Sequence, residues 1–501
     1  GFQPVALWPL TLFGLALLVG LVAGARSPTR AGLLGWAWGL GHFTVGNNWI
    51  ATAFTYQAKM PAWLGGVAVV LLALYLAVYP ALAAGLAWFA RRRPLALVLA
   101  FGAAWIVGEA LRGWVFTGFP WNPLAAAALG GPTRAGLAQV LPWTGTYALS
   151  GLVAVLGGLW WIGWTLRVTR TWLAMGLVVV PLAAFRLPQA GPADPPGHLA
   201  FTLVQPGVRQ EYLDDPAHFE QQFRTTAALS RAHGPQAGSG RRLVLWPESG
   251  TPDYLREGYP DWFYTGTTYL GSPALARQRI GRAIGPEALL LTGTVDLEVA
   301  GTRATGARNV ITALDGAGAI RGSYAKAHLV PYGEYLPIRA WLEPLGLSRL
   351  VPGALDFHPG PGPRTLDLGP WGKAGLQICY EIVFSGQVID PAHRPDYLFN
   401  PSNDGWFGTW GPPQHLAQAR LRAIEEGVPV LRSTTNGISA VIDARGVVQQ
   451  ALPRPVAGRI DGLVPPAHAP TLFSRAGNGL AAAWAALLAL CAALALRRRE
   501  R

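Results

Sequence analysis

Three ionisable side chains could together perform acyl transfer. Glu248, Lys326 and Cys379 each stand at or just beyond a short apolar run that predicts a β-strand. A thiol is mostly protonated at neutral pH, so acyl chemistry needs a base to take its proton and a cation or N–H donors to hold the oxyanion. Glutamate, lysine and cysteine can fill these roles.

Each of these residues has a plainer interpretation when it is taken alone. A single buried cysteine is usually an inert core residue, and a glutamate or lysine after a strand is usually a surface or capping group. The second cysteine, Cys491, lies in a hydrophobic tail where a thiol is a small apolar filler, which leaves Cys379 without an expected disulfide partner. Only the combination of Glu248, Lys326 and Cys379 favours catalysis.

The elements that would position these groups lie in a polar domain that we expect at 198–467, after a Pro-rich linker at 188–197. The predicted strands are 199–204, 242–245, 288–294, 309–314, 319–324, 374–379, 397–399, 428–433 and 439–442, with helices at 216–231, 273–284 and 412–426. About 270 residues of mixed strand and helix can bury a sizeable core, which predicts an α/β or α+β sandwich.

The rest of the chain is too apolar for an ordinary soluble domain. Of 501 residues, 51% are hydrophobic and 13% are charged. Apolar runs recur at 5–24, 32–52, 63–90, 94–112, 141–165, 171–186 and 474–496. Since about 20 apolar residues cross the hydrocarbon layer, we predict about six transmembrane helices in 1–187 and a C-terminal one at 474–496. Buried core helices are the alternative, but they would leave no residues for a soluble surface.

The basic residues predict the orientation of these helices. One set of alternate links is rich in arginine, while the opposite short links hold few basic residues. The rich set comprises Arg26, Arg30, Arg91, Arg92, Arg93, Arg167, Arg170, Arg497, Arg498, Arg499 and Arg501, and the poor set comprises Lys59, Arg112 and Arg134. By the positive-inside rule the rich set and the C-terminus are cytoplasmic, so residues 190–470 lie on the outer side. The net charge of +13 therefore needs no nucleic-acid partner.

Four ordered motifs carry a family resemblance. These are WPES at 246–249, KAHLVPYGEY at 326–335, ICYE at 378–381 and NPSNDGWF at 400–407. They resemble the nitrilase superfamily, and with the flanking spans the chain resembles its membrane-embedded branch, the apolipoprotein N-acyltransferases. The resemblance implies a nitrilase-like αββα sandwich outside a polytopic α-helical membrane bundle. That family has eight spans and seven are counted here, which predicts an earlier span before Gly1.

The resemblance also implies residue roles. Glu248 is the expected general base, Lys326 the oxyanion stabiliser and Cys379 the nucleophile that carries the acyl chain as a thioester. Glu334 matches a further functional glutamate of the family, and Tyr380 and Glu381 match the neighbours of its cysteine. A structural carboxylate remains the alternative for Glu334, and a salt-bridge partner for Glu381.

An apolar segment after Glu334 predicts a lid. Trp341, Leu342, Leu345 and Leu347, followed by an apolar pair at 350–351, are separated by Pro and Gly. Such a segment is either core or a lid that dips into lipid beside a substrate whose acyl tails stay in the bilayer. The loop 400–407 is rich in turn residues, and we expect it to shape the pocket.

The resemblance implies the reaction. A phospholipid of the bacterial inner membrane gives its acyl chain to Cys379, which passes it to the α-amine of an S-diacylglyceryl cysteine on an apolipoprotein. We expect no metal or other cofactor, because the nine histidines show no ligand spacing, and His328 and His415 are expected in structural or hydrogen-bonding roles. A membrane-tethered amidase and a non-catalytic membrane scaffold remain alternatives.

Overall fold

The computed structural model describes residues 1–56, 61–165, 194–231, 241–345 and 355–497. Its helices are α1 (Trp8–Gly24), α2 (Pro28–Gly46), α3 (Ile50–Ala53), α4 (Leu64–Leu76), α5 (Val78–Ala87), α6 (Pro94–Arg112), α7 (Leu141–Thr165), α8 (Pro216–Ser230), α9 (Asp261–Tyr264), α10 (Pro273–Ile284), α11 (Arg339–Leu342), α12 (Gly411–Glu426), α13 (Leu472–Ala476) and α14 (Gly479–Arg497). The strands are β1 (Ala200–Gln205), β2 (Arg242–Leu245), β3 (Ala288–Ala300), β4 (Arg303–Asp315), β5 (Ile320–Ala325), β6 (Thr365–Asp367), β7 (Lys373–Leu376), β8 (Tyr397–Ser402), β9 (Val430–Thr434), β10 (Ser439–Ile442), β11 (Val448–Leu452) and β12 (Gly458–Leu463).

The N-terminal helices and α14 form one bundle. Four helical stretches within the described ranges are long and apolar enough to cross a membrane, namely Leu64–Ala90, Pro94–Arg112, Gly136–Thr165 and Gly479–Arg497, and Trp8–Gly24 is a shorter apolar helix. The predicted run 171–186 lies outside the described residues. Helices α1, α2 and α6 each have a proline in the first turn. Proline fits there because the first N–H groups of a helix have no hydrogen-bond partner within the helix, so the N–H that proline lacks is not missed.

The C-terminal half folds as two facing six-stranded sheets. Their strand orders are β12-β1-β2-β3-β4-β5 and β11-β10-β9-β8-β7-β6. Strands β1, β2 and β3 run parallel in the first sheet, and β7, β8 and β9 run parallel in the second. The carboxyl ends of parallel strands meet at one edge of each sheet, so loops after different strands converge there.

Side-chain alternation decides which layer each strand face contacts. In β1 and β2, Leu203 and Leu245 belong to the core between the two sheets, whereas Val204 and Val244 pack with α8 and α10 on the outer face of the first sheet. Successive strand residues point to opposite faces, so both faces of a central strand are apolar when both are covered. The layers are helix, sheet, sheet and helix, which confirms the predicted αββα fold class.

Helix α12 joins the sandwich to the bundle. Its Ala419 and Ala423 belong to the hydrophobic core of the sandwich, while Ala417, Leu421 and Ile424 pack among the membrane helices. Arg422 on the same helix donates to Val383 O at 3.0 Å and to the Thr146 hydroxyl near the start of α7. The sandwich is therefore fixed to one end of the bundle by a buried helix that both halves share.

Candidate active site

The three predicted catalytic residues meet because of the sheet topology. Glu248 follows β2 and Lys326 follows β5, two strands of the first sheet that run in the same direction. Cys379 follows β7 of the second sheet and opens a 3-10 turn, Cys379–Val383. All three lie beyond the carboxyl ends of their strands. The two facing sheets thus bring together residues that are 131 positions apart in sequence, from 248 to 379.

A lysine and two carboxylates form the polar centre of the site. Lys326 Nζ lies 2.9 Å from Glu334 Oε2 and 3.8 Å from Glu248 Oε1. Asn309 Nδ2 donates to Glu248 Oε1 at 2.7 Å and to Glu334 Oε1 at 3.0 Å. The Asn403 N–H donates to the other Glu248 oxygen at 2.7 Å. Lys326 and Asn309 thus hold the two carboxylates side by side.

The charge of Lys326 is secured by its surroundings. Its side chain is 1% exposed. Burial by itself lowers the pKa of this ammonium group, but Glu334 and Glu248 outweigh that effect and raise the pKa of Lys326 above its usual value. A cation paired in this way stays protonated throughout the physiological range. Lys326 is therefore a permanent hydrogen-bond donor in the site.

Cys379 sits in a strained backbone conformation. Its φ is +51°, in the left-handed region that a non-glycine residue rarely adopts. Burial raises the pKa of the Cys379 thiol well above its usual value and Glu248 raises it further, while Lys326 and the Asn403 N–H lower it. The resting group is a neutral thiol, so its reactivity depends on a base that removes the proton. Strain of this kind persists where the fold holds a functional group in place.

Glu381 supports the turn that carries Cys379. Its Oε1 accepts from Tyr324 Oη at 2.7 Å and from the backbone N–H groups of Ala327 and His328 at 2.7 and 3.2 Å, and its Oε2 accepts from Ile378 N at 2.7 Å. These donors come from the Lys326 loop and from the residue before Cys379. Burial raises the pKa of Glu381 to about 7, and the hydrogen bonds oppose a larger rise. The Glu381 carboxylate therefore links the loop that follows Lys326 to the turn that carries Cys379.

Tyr380 faces the membrane half. Its hydroxyl donates to Gly118 O at 3.2 Å, in the loop after α6. Its ring is parallel to that of Trp121, with centroids 6.4 Å apart, and meets Phe384 edge-on at 5.1 Å. The residue after Cys379 therefore contacts a loop of the bundle, and the site lies where the two halves meet.

The predicted lid is described in part. Trp341 and Leu342 lie on α11, where Trp341 is 78% exposed. Leu345 ends the next 3-10 turn, Glu343–Leu345, and Leu347 lies outside the described residues. The base of the segment is tied down, because Arg339 Nη2 donates to both Asp356 oxygens at 2.6 and 2.7 Å. The lid therefore stays a prediction.

The sequence motifs missed Asn309 and left the purpose of Asn403 open. Asn309 lies inside β4 and binds both glutamates through one amide group, whereas Asn403 reaches Glu248 only through its backbone. Nearly every residue has a backbone N–H, so the residue type at 403 does not indicate this hydrogen bond. For Asn309 the one available signal was an amide side chain within an apolar strand beside Val310.

Two facing sheets with a buried thiol at their strand ends, fixed to a helical bundle, define a membrane-embedded protein of the nitrilase superfamily. Residues 203–459 match the carbon-nitrogen hydrolase family, and residues 1–159 match the apolipoprotein N-acyltransferase N-terminal domain. The chain belongs to the apolipoprotein N-acyltransferase family, a family of bacterial membrane acyltransferases.

Curated relatives align along almost the whole chain. The apolipoprotein N-acyltransferase of Bradyrhizobium diazoefficiens is 34% identical over 99% of this chain and 92% of its own length. That of Rhodopseudomonas palustris is 32% identical over the same shares, and that of Caulobacter vibrioides is 34% identical over 91% of this chain and 84% of its own. A solved amidase from Nesterenkonia sp. is 18% identical, covering 55% of this chain and 94% of its own, with a TM-score of 0.35.

Proposed function

We propose that this protein moves a fatty acyl chain from a membrane phospholipid, through a thioester on Cys379, to the α-amine of the S-diacylglyceryl cysteine of an apolipoprotein. Family membership supports lipoprotein N-acylation. The observation that carries the chemistry is the buried cluster of Cys379, Lys326 and Glu248 at the junction with the bundle. A thiol, a fixed cation and a carboxylate are the groups that acyl transfer through a thioester needs.

In the first half-reaction Glu248 accepts the Cys379 thiol proton, and the sulfur attacks the ester carbonyl of the phospholipid. The carbonyl oxygen becomes an oxyanion, and Lys326 Nζ is the cationic donor placed to stabilise it. When the tetrahedral intermediate collapses, the C–O bond breaks and Glu248 returns its proton to the departing alkoxide. A lysophospholipid leaves, and the acyl chain remains on Cys379.

In the second half-reaction the lipoprotein amine attacks the thioester carbonyl. Glu248 takes a proton from the attacking nitrogen, Lys326 again faces the oxyanion, and the C–S bond breaks. The proton on Glu248 then goes to the Cys379 sulfur, which regenerates the thiol. One carboxylate thus serves as base and acid in both halves. Glu334 and Asn309 position these groups, because they bind Lys326 and Glu248.

The bundle geometry supports an active site on the outer face of the bacterial inner membrane. The α1–α2 link with Arg26 is next to the α5–α6 link with Arg91, because Trp88 Nε1 donates to Ala25 O. The α5–α6 link and Arg497 lie at the ends of α6 and α14 opposite to Arg112 and Asn478. The sandwich contacts the opposite ends, as in the bonds from Asn478 to Ser385 O and from Tyr380 to Gly118 O. If the arginine-rich ends are cytoplasmic, the site is outside.

The mass of Cys379 after incubation with phospholipid tests the proposal. The full chain in phospholipid vesicles is expected to gain one fatty acyl group on the Cys379 peptide. The adduct disappears on addition of an S-diacylglyceryl peptide with a free α-amine, which becomes N-acylated. Cys491→Ala should behave as the parent, and Cys379→Ala should form no adduct.

The other outcomes identify the alternatives. Release of the acyl group to water as free fatty acid, with the peptide unmodified, would favour a membrane-tethered amidase or hydrolase. A Cys379 residue that gains no acyl group from any phospholipid would favour a non-catalytic scaffold. Full transfer by a folded Cys379→Ala variant would remove the nucleophile assignment.

A further inference from the structure

A second buried polar cluster lies behind the nucleophile. His415 on α12, Asp404 and Arg432 on β9 are all essentially inaccessible to solvent. His415 Nε2 lies 3.1 Å from Cys379 O, and its Nδ1 lies 3.0 Å from both Asp404 Oδ1 and Arg432 Nη2. Arg432 Nη2 also reaches both Asp404 oxygens at 2.7 Å. The imidazole therefore connects an ion pair to the backbone of the nucleophile.

The partners of His415 assign its ring proton. Burial lowers the pKa of His415 and Arg432 lowers it further, against an opposing effect of Asp404 and the Cys379 carbonyl, so the ring is neutral. A neutral imidazole carries one N–H. Nε2 faces the Cys379 carbonyl, which can only accept, whereas Nδ1 faces a donor, Arg432 Nη2, as well as the acceptor Asp404 Oδ1, so the proton belongs on Nε2 and donates to Cys379 O. Nδ1 then accepts from Arg432 Nη2.

A second side chain also donates a hydrogen bond to the Cys379 carbonyl. Asn400 Nδ2 donates to Cys379 O at 3.3 Å and to Gln377 O at 2.7 Å. Arg432 Nη1 in turn donates to Asn400 Oδ1 and to Ser402 Oγ. One guanidinium thus orients both side chains that hold the carbonyl, because its planar fork of donors faces Asn400 on one side and His415 on the other.

The held carbonyl belongs to the strained residue. With φ at +51°, Cys379 occupies a strained conformation that persists only where neighbouring groups enforce it. Fixing its C=O fixes the plane of the 379–380 peptide and hence the Cα–Cβ direction of the thiol. A core histidine that only satisfies its own polar atoms would have no such effect on the nucleophile.

We propose that His415, oriented by Arg432 and Asp404, is a positioning residue for acyl transfer: its Nε2–H holds the Cys379 carbonyl and keeps the thiol aligned with Glu248 and Lys326. This role rests on the proposed function, because it concerns the nucleophile of that reaction. His415 contacts no reacting atom, so it acts on the rate through Cys379 alone.

A matched pair of amide variants tests the proposal in the full chain. His415→Gln keeps an N–H near the Nε2 position and loses the contact at Nδ1, whereas His415→Asn keeps a polar group near Nδ1 and loses the bond to Cys379 O. Because about 1 Å of misplacement costs roughly a hundredfold in rate, His415→Asn should lose at least about tenfold in kcat with KM unchanged. His415→Gln should stay within about threefold of the parent.

Two further measurements separate positioning from folding. The alkylation rate of Cys379 by iodoacetamide should fall in His415→Asn and be largely restored in His415→Gln, while melting temperatures fall similarly in both. If His415→Asn does not fold, His415→Leu takes its place with the same expectation.

Equal kcat in the Gln and Asn variants would overturn the proposal, as would a Gln variant that melts like the parent but has lost activity. A parent without acyl transfer would instead count against the proposed function.

Discussion

Removal of the Lys326 ammonium group should affect catalysis and folding separately. In Lys326→Met, the oxyanion loses its cationic donor, and one such donor is worth about a hundredfold in kcat, or about 2.7 kcal/mol of transition-state free energy. The same change leaves Glu248 and Glu334 beside each other without the cation that lies 3.8 and 2.9 Å away. Breaking a buried ion pair costs about 3 to 5 kcal/mol of unfolding free energy.

A double variant separates the two effects. Lys326→Met combined with Glu334→Gln removes the nearer of the two carboxylates that lose their cation and ends its repulsion with Glu248, so it should recover part of the lost thermal stability. Activity should not return, because the donor that faces the oxyanion is still missing. Glu334→Gln alone serves as the control for any contribution of Glu334 to the rate.

The assay is acyl transfer from phospholipid to an S-diacylglyceryl peptide in vesicles, alongside the melting temperature of each variant. The reasoning is refuted if Lys326→Met transfers at the parent rate. It is also refuted if the double variant regains activity together with stability, since Lys326 would then merely neutralise Glu334.

Two other predictions address the base and the topology. Glu248→Gln should slow alkylation of Cys379 by lipid-like electrophiles, because the group that accepts the thiol proton is gone; an unchanged alkylation rate across pH would contradict that role. In a folded background without other cysteines, Thr302→Cys in the exposed β3–β4 turn should react with a membrane-impermeant thiol reagent in intact spheroplasts, while Arg92→Cys should be shielded. Labelling of Arg92→Cys with protection of Thr302→Cys would place the site in the cytoplasm.

Most of the strands that were predicted from the sequence lie in the interior of the two sheets, away from the sheet edges. Runs at 242–245 and 439–442 coincide with β2 and β10, whose residues are all buried. Strands β6, β11 and β12 were missed, and all three lie at sheet edges. An edge strand needs fewer apolar residues because part of it meets solvent, as the exposed residues of Val448–Leu452 illustrate. Their pairing depends on a neighbouring strand, which no local pattern displays.

Within the site, residue type was informative wherever the side chain itself carries the chemistry. Glu248, Lys326 and Cys379 are ionisable groups at strand ends, and parallel strands place such ends together, so pattern and motif resemblance predicted them as a set. Tyr380 and Glu381 were predicted from their place beside the cysteine, but their partners, Gly118 O and Tyr324 Oη, could not be. Those contacts depend on how the bundle and the two sheets pack.

The sequence by itself therefore determined the membrane half, the strand-rich half and the three groups fit for acyl chemistry, because hydrophobic periodicity and ionisable residue types are local properties. Only the tertiary structure decided that Asn309 binds both glutamates and that His415 and Asn400 hold the Cys379 carbonyl. Hydrogen bonds between residues distant in sequence depend on directions and distances of an ångström or less, which are set when the two sheets and α12 pack together.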